Sequence, residues 1–123
     1  MGSSPVCCGG EVPGAAPMIR AEAGGCSLRL RGHAGSGEPG HDLICAGVSA
    51  LVLALREELM HLEELGALRL DTLRLEPGDA EIRCDPVPGG EEAVETAFDT
   101  VLRGLRLLER LFGDFVEVRD GDR

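Results

Sequence analysis

The chain contains no tryptophan and no tyrosine, and only three of its 123 residues are phenylalanine. A core without aromatic bulk has to be assembled from Leu, Val, Ile and Ala. Lysine is absent as well: the twelve basic residues are all arginine, against 22 acidic ones, for a formal net charge of −10. That balance argues against nucleic acid as a direct partner, because phosphate contacts need clustered positive charge. It suits solubility first and a basic protein partner second. No apolar run can cross a bilayer: the longest, Leu43 to Leu55, has 13 residues and includes Gly47 and Ser49. An export signal is also missing, since no charged region followed by an apolar run opens the chain. A cytoplasmic location without membrane attachment is therefore expected.

The five cysteines are Cys7, Cys8, Cys26, Cys45 and Cys84. Their odd number and irregular spacing do not form a disulfide framework, in keeping with a reducing compartment. Cys7-Cys8 is a vicinal pair without a second nearby pair of ligands, so it lacks zinc spacing. No metal and no cofactor is expected.

With 43% hydrophobic residues, the length suits one domain with one modest core. Residues 1–17 are rich in Gly, Pro, Ser and Ala and show no apolar period, which predicts a disordered extension. Residues 18–119 form the expected domain, and 120–123 should fray. Leu28 and Leu30 alternate with Arg29 and Arg31, the period of a half-buried strand. Strands over 18–23 and 27–32 then flank Gly24-Gly25 as a hairpin. A second pair, 68–76 and 81–85, is joined at Pro77-Gly78-Asp79. Within it Asp71-Thr72 breaks the alternation, as a bulge would. Ile82 and Cys84 share a face, so Cys84 reads as a small buried hydrophobe.

Two helices are expected. The first, from about Asp42 to Leu65, has Ile44, Val48, Leu51, Leu55, Leu59 and Leu62 as its core stripe, with Val52, Leu53 and Met60 beside it. His61 lies in its wetter end and is expected in solvent. The second, 91–112, has Val94, Ala97, Phe98, Val101, Leu105, Leu108 and Phe112 at helical spacing, with Gly113 as C-cap. A last strand is expected at 115–119. Excess apolar surface on the first helix, and Gly104 in the second where a partner backbone could approach, predict a homodimer. The order of elements predicts an α+β two-layer sandwich, a mostly antiparallel sheet with two helices on one face.

The chemistry concentrates between Gly32 and Leu51. Gly35, Ser36, Gly37, Glu38, Pro39 and Gly40 are too rich in Gly and Pro for regular structure and form a loop. Such a loop can move to admit a substrate. Asp42 reads as an N-cap, which places Cys45 at the third helical position, where free amides and the helix dipole favour a thiolate. Asp42, Cys45 and Ser49 share one helical face. His33 stands across the loop at the end of a strand and is the expected base, with His41 as its rival.

This stretch, Gly-His-Ala-Gly at 32–35 followed by the loop and Asp-Leu-Ile-Cys-Ala-Gly-Val-Ser-Ala-Leu at 42–51, resembles the signature of the ribosomal-processing cysteine proteases, the Prp family. Weaker resemblance runs from about Met18 to Arg119. It implies that the nucleophile is Cys45, its partner His33, and the supporting residues Asp42, Ser49 and Gly32, with 35–40 as the substrate loop. Gly47 departs from the more usual alanine. The resemblance also implies a homodimer and a substrate, the precursor of bacterial large-subunit ribosomal protein twenty-seven, whose N-terminal extension is removed by a cut after an aromatic residue. Leu43, Ile44 and Val48 are expected to wall the site. Two other classes stay open: a non-catalytic binding module or chaperone for a basic ribosomal protein, and a thiol-based redox or acyl-transfer enzyme.

Overall fold

The computed structural model describes residues 18–32, 41–76 and 78–121, with only the backbone at His41 and Asp42. The expected extension, residues 1–17, lies outside them. Seven elements follow in order: β1 (Ile19–Gly24), β2 (Ser27–Gly32), α1 (His41–Glu64), β3 (Leu68–Glu76), β4 (Asp79–Pro86), α2 (Glu91–Leu111) and β5 (Val116–Asp120). The strands form one sheet in the order β3-β4-β2-β1-β5, and the pair β1–β5 alone is parallel. This is the expected α+β fold. Among the described residues, no helix is long and apolar enough to cross a membrane.

Strand alternation puts Leu28, Leu30, Ile82 and Cys84 on the helix-covered face. The break in β3 is a bulge: Leu70 faces Cys84 and Thr72 faces Arg83, so Asp71 is the extra residue. The insertion lets Leu70 and Leu73, three apart, both pair on the core side, opposite Cys84 and Ile82. The other face is polar, and its charges alternate across strands. Glu22 pairs with Arg29 and Arg119, Arg20 with Glu117, and Arg74 with Glu81. Opposite charges directly across strands favour this register over one that would set like charges together.

Each edge of the sheet is closed by a helix carboxylate. On β3 the Leu70 amide donates to Glu63 of α1 at 3.0 Å. On β5 the Val118 amide donates to Glu109 of α2 at 3.0 Å, and the Val116 amide to the Phe112 carbonyl at 3.1 Å. An edge whose outward amides are taken is a poor template for another strand.

The helices seat on the apolar face. In α1 the buried stripe is Ile44, Cys45, Val48, Val52, Leu55, Leu59 and Leu62; Leu51 is only partly buried and turns toward α2. In α2 it is Val94, Phe98, Val101, Leu102 and Leu105. Burying each large aliphatic chain is worth about 1.5–3 kcal/mol over leaving it in water.

Four local expectations need correction. Gly104 does not receive a partner's backbone: a Cβ there would come within 2.7 Å of Leu51 Cδ2, so the glycine admits α1 of the same chain. Gly113 is not a left-handed cap, because its φ is not positive; Phe112 caps α2, and its amide still bonds the Leu108 carbonyl at 2.7 Å. Asp42 is the second residue of α1 and not its cap, which makes Cys45 the fifth residue instead of the third. Order also persists beyond 119: Asp120 closes β5, and the Gly121 amide bonds the Ala23 carbonyl at 3.0 Å.

Two glycines should respond oppositely to alanine. At Gly47 a Cβ would lie 3.6 Å from Leu108 Cδ1, an ordinary contact, whereas at Gly90 it would lie 2.1 Å from the Ala67 carbonyl oxygen. Gly47→Ala should stabilise by about 0.5–1 kcal/mol in urea melts, through lower chain entropy in the unfolded state. Gly90→Ala should cost about 3 kcal/mol, because the clash is with backbone.

Candidate active site

Cys45 sits near the head of α1 because that end of the helix is apolar enough to lie on the sheet. Its neighbours Ile44 and Val48 are buried, and Cys45 itself is 2% exposed. Side chains on a helix lean toward its N-terminus, so the thiol leans toward the opening turn of α1. Ser49, one turn further on, is half-buried.

Both residues line one cavity of about 240 Å³ between α1 and the sheet. Its apolar walls are Ile19, Leu30, Val48, Val52, Leu53, Leu75 and Ala80; Arg31, Glu76 and Asp79 supply charge. Gly32 and Gly78 complete the lining. The φ of Gly32, +104°, lies where L side chains are strained, and a Cβ there would fall 2.1 Å from the Met18 carbonyl oxygen. Its amide donates to the Gly78 carbonyl at 3.0 Å. Gly32 therefore ties the end of β2 to the β3–β4 connection at the residue just before His33.

The structure thus brings Cys45, Ser49 and Gly32 around one space. Asp42 stands three residues before Cys45 in α1. His33 and the loop residues Gly35, Ser36, Gly37, Glu38, Pro39 and Gly40 lie outside the described residues. The expected walls are only partly right. Val48 lines the cavity, but Ile44 is buried elsewhere in the core, and Leu43, 74% exposed, turns to solvent. Leu43 is two residues before Cys45, about 200° round the helix from it, and so faces away from the cavity.

The far wall, Leu75 to Ala80, was legible only as a strand connection. Nothing in local periodicity tells that β4 pairs with β2 and so faces the head of α1. Asp79 is the notable residue there. Arg74 Nη1 donates to it at 2.9 Å, and Arg29 Nη2 stands 3.7 Å away. The hydrogen bond from Arg74 holds its carboxyl below the usual carboxylate range. Glu81 is held low by hydrogen bonds from Arg83, at 2.8 Å, and from Arg74, at 3.2 Å. Among the described residues, no group of three or more His, Cys, Asp or Glu could hold a metal ion.

Cys45 and Ser49, on the head of one helix, thus face a largely apolar cavity. Residues 18–117 match the family described as Cysteine protease Prp, and the chain belongs to that family. It is a cysteine protease. The chain is 30% identical to SMU.848 from Streptococcus mutans, whose crystal structure superposes with a TM-score of 0.64 over 87% of this chain and 97% of that one. The essential ribosomal processing protease Prp from S. aureus, in complex with a substrate peptide, is 22% identical, with a TM-score of 0.60 over 85% of this chain and 98% of that one. The same protease with a covalently linked product peptide is 23% identical, with a TM-score of 0.61 over 85% and 99%. No curated protein sequence matches the chain.

The arginine-held carboxylates Asp79 and Glu81 should make stability pH-dependent. Their folded pKa values lie below the ordinary 3.8 for Asp79 and 4.5 for Glu81. Their contribution is therefore complete above those ordinary values and is lost as pH falls through the lowered ones. Arg74→Ala should lower Tm slightly at neutral pH. On acidification its Tm should fall less than that of the parent protein, the two curves converging at the acid end.

Proposed function

We propose that this cysteine protease acts in the cytoplasm on the precursor of bacterial large-subunit ribosomal protein twenty-seven, removing its N-terminal extension by Cys-His catalysis. The observation that carries the reading is Cys45, seated on the head of α1 at the wall of an apolar cavity, in a chain of the Prp family. The S. aureus relative, of the same fold, has been seen with a substrate peptide and with a covalently linked product peptide.

In this mechanism Cys45 attacks the scissile carbonyl as a thiolate, and His33 takes its proton and returns it to the leaving amine. A thioester forms, the C-terminal product departs, and water then releases the N-terminal extension. Amides in the opening turn of α1 face the oxyanion. Asp42 and Ser49 position the dyad, and Gly32 holds the strand end that precedes His33. Residues 35–40 serve as the substrate loop that the family resemblance implies. The apolar walls suit an aromatic side chain before the cut, and the net charge of −10 suits a basic ribosomal partner.

Incubation with the precursor, followed by intact-mass analysis, tests this directly. Cys45→Ala and His33→Ala should each lower turnover by on the order of a thousandfold or more without loss of fold. Added salt should slow capture of the full-length precursor and leave a short neutral peptide nearly unaffected, because only long-range steering is screened. Full turnover by the Cys45 variant would remove the assignment.

The reading includes a homodimer. Leu43, Leu53 and Met60 on α1, with Leu107, Leu111 and Phe112 at the end of α2, are large apolar side chains left exposed. Sedimentation at micromolar concentration should give twice the 12.9 kDa chain mass. A stable monomer would show that these side chains serve no self-association.

A further inference from the structure

Cys26 and Cys84 are 58 positions apart in the chain and directly opposed in the sheet. In the β2–β4 register Ser27 stands opposite Arg83, and Leu28 opposite Ile82. One step further along that register places Cys26, in the β1–β2 turn, opposite Cys84. The Cys84 amide donates to the Cys26 carbonyl at 3.1 Å, so the pairing does reach this step. Parity puts both side chains on the core face: Cys26 follows Leu28 and Leu30, and Cys84 follows Ile82. Cys26 is partly buried against the core cluster, Cys84 is buried within it, and a hydrogen bond joins the two thiols. Directly opposed antiparallel residues have Cα atoms about 4.5–5.5 Å apart. A disulfide spans about 4.4–6.8 Å.

We propose that Cys26 and Cys84 are a redox dithiol, which a small-molecule disulfide oxidises to an intramolecular disulfide fastening the β1–β2 turn to β4. Cys26, the partly exposed member, attacks one sulfur of the external disulfide as a thiolate. That disulfide breaks, its other half leaves and takes up a proton as a thiol, and a mixed disulfide remains on Cys26. Cys84 then gives up its proton and attacks the Cys26 sulfur, and the second small thiol leaves with that proton. Two protein thiols are oxidised and one external disulfide is reduced to two thiols.

Burial, and then the neighbouring Cys26, push the Cys84 thiol up to about 12. A thiol of that kind is a slow attacker and a poor leaving group. Closure and reopening are therefore both slow, and the pair acts as a latch. Its place is at the opposite end of β2 and β4 from Gly32 and Asp79, so it fastens the two strands that reach the catalytic cavity without occupying it. Cys45 takes no part.

The test uses the full chain incubated with glutathione disulfide, then alkylated, digested with trypsin and analysed by mass. The expected product links the peptides 21–29 and 84–103, and Tm rises on the order of 10 °C until dithiothreitol reverses it. Cys26→Ser, at a half-buried turn position, should fold normally and lose both the link and the Tm response. The proposal is overturned if peptide 21–29 stops at the glutathione adduct while Cys84 stays alkylatable. A link from either peptide to 32–56, which carries Cys45, overturns it too, as does a 21–29 to 84–103 link that leaves Tm unchanged.

Discussion

The close seating of α1, against the sheet on one side and α2 on the other, sets everything else in the molecule. In a chain with so few rings, that seating is made mostly by branched aliphatic side chains, and aliphatic layers gain most when backbones come near. Gly104 is where α2 gives way: its missing Cβ leaves the room that Leu51 of α1 fills. Leu55 and Leu59, at most 1% exposed, then hold the middle of α1 on the sheet. The head of the helix, with Cys45 and Ser49, is carried to the end of β2 by that packing. A reactive group placed in this way owes its position to a rigid body and not to the loop beside it.

The remaining surface is managed by charge. One face of the sheet has no helix over it, and it stays soluble through arginines and carboxylates that alternate across strands. Glu63 and Glu109 occupy amides at opposite edges of the sheet, so each helix both covers the apolar face and shields a margin. The acidic surplus of the composition is thus partly structural, serving the edges of the sheet.

Much of this was legible in the residues themselves. Alternation in Leu28 to Arg31, the phase break at Asp71-Thr72 and the helical spacing of Val94 to Leu105 are local patterns, and each produced the expected element. The α+β class followed from their order. Spacing likewise put Cys45 and Ser49 on one helical face, and they line one cavity. Partners distant in sequence were not legible. The β2–β4 pairing builds the cavity's far wall and sets Cys26 against Cys84, yet no residue of β2 names β4. The exchange of Leu51 for Val52 in the buried stripe has the same origin, since it depends on where α2 lies. Leu43 looked like a wall because it lies near Cys45 in sequence, but two residues along a helix is a rotation of about 200°.

The parallel pairing of β5 with β1 carries a consequence for how the chain finds its fold. Arg20 and Glu117, bonded across those strands, are 97 residues apart, whereas β3 and β4 are joined by a tight connection. Closing so long a loop is entropically costly, and contacts of that range form late when nearer ones can form first. A chain emerging from synthesis can pair β1 with β2 and then add β4 and β3. The outer side of β1 stays open until residues 116–120 are available. For that interval the strand that brings Ile19 to the cavity has an unprotected margin, and the nascent domain is most exposed to wrong pairing there. The edge that Glu109 closes is therefore the last edge to exist.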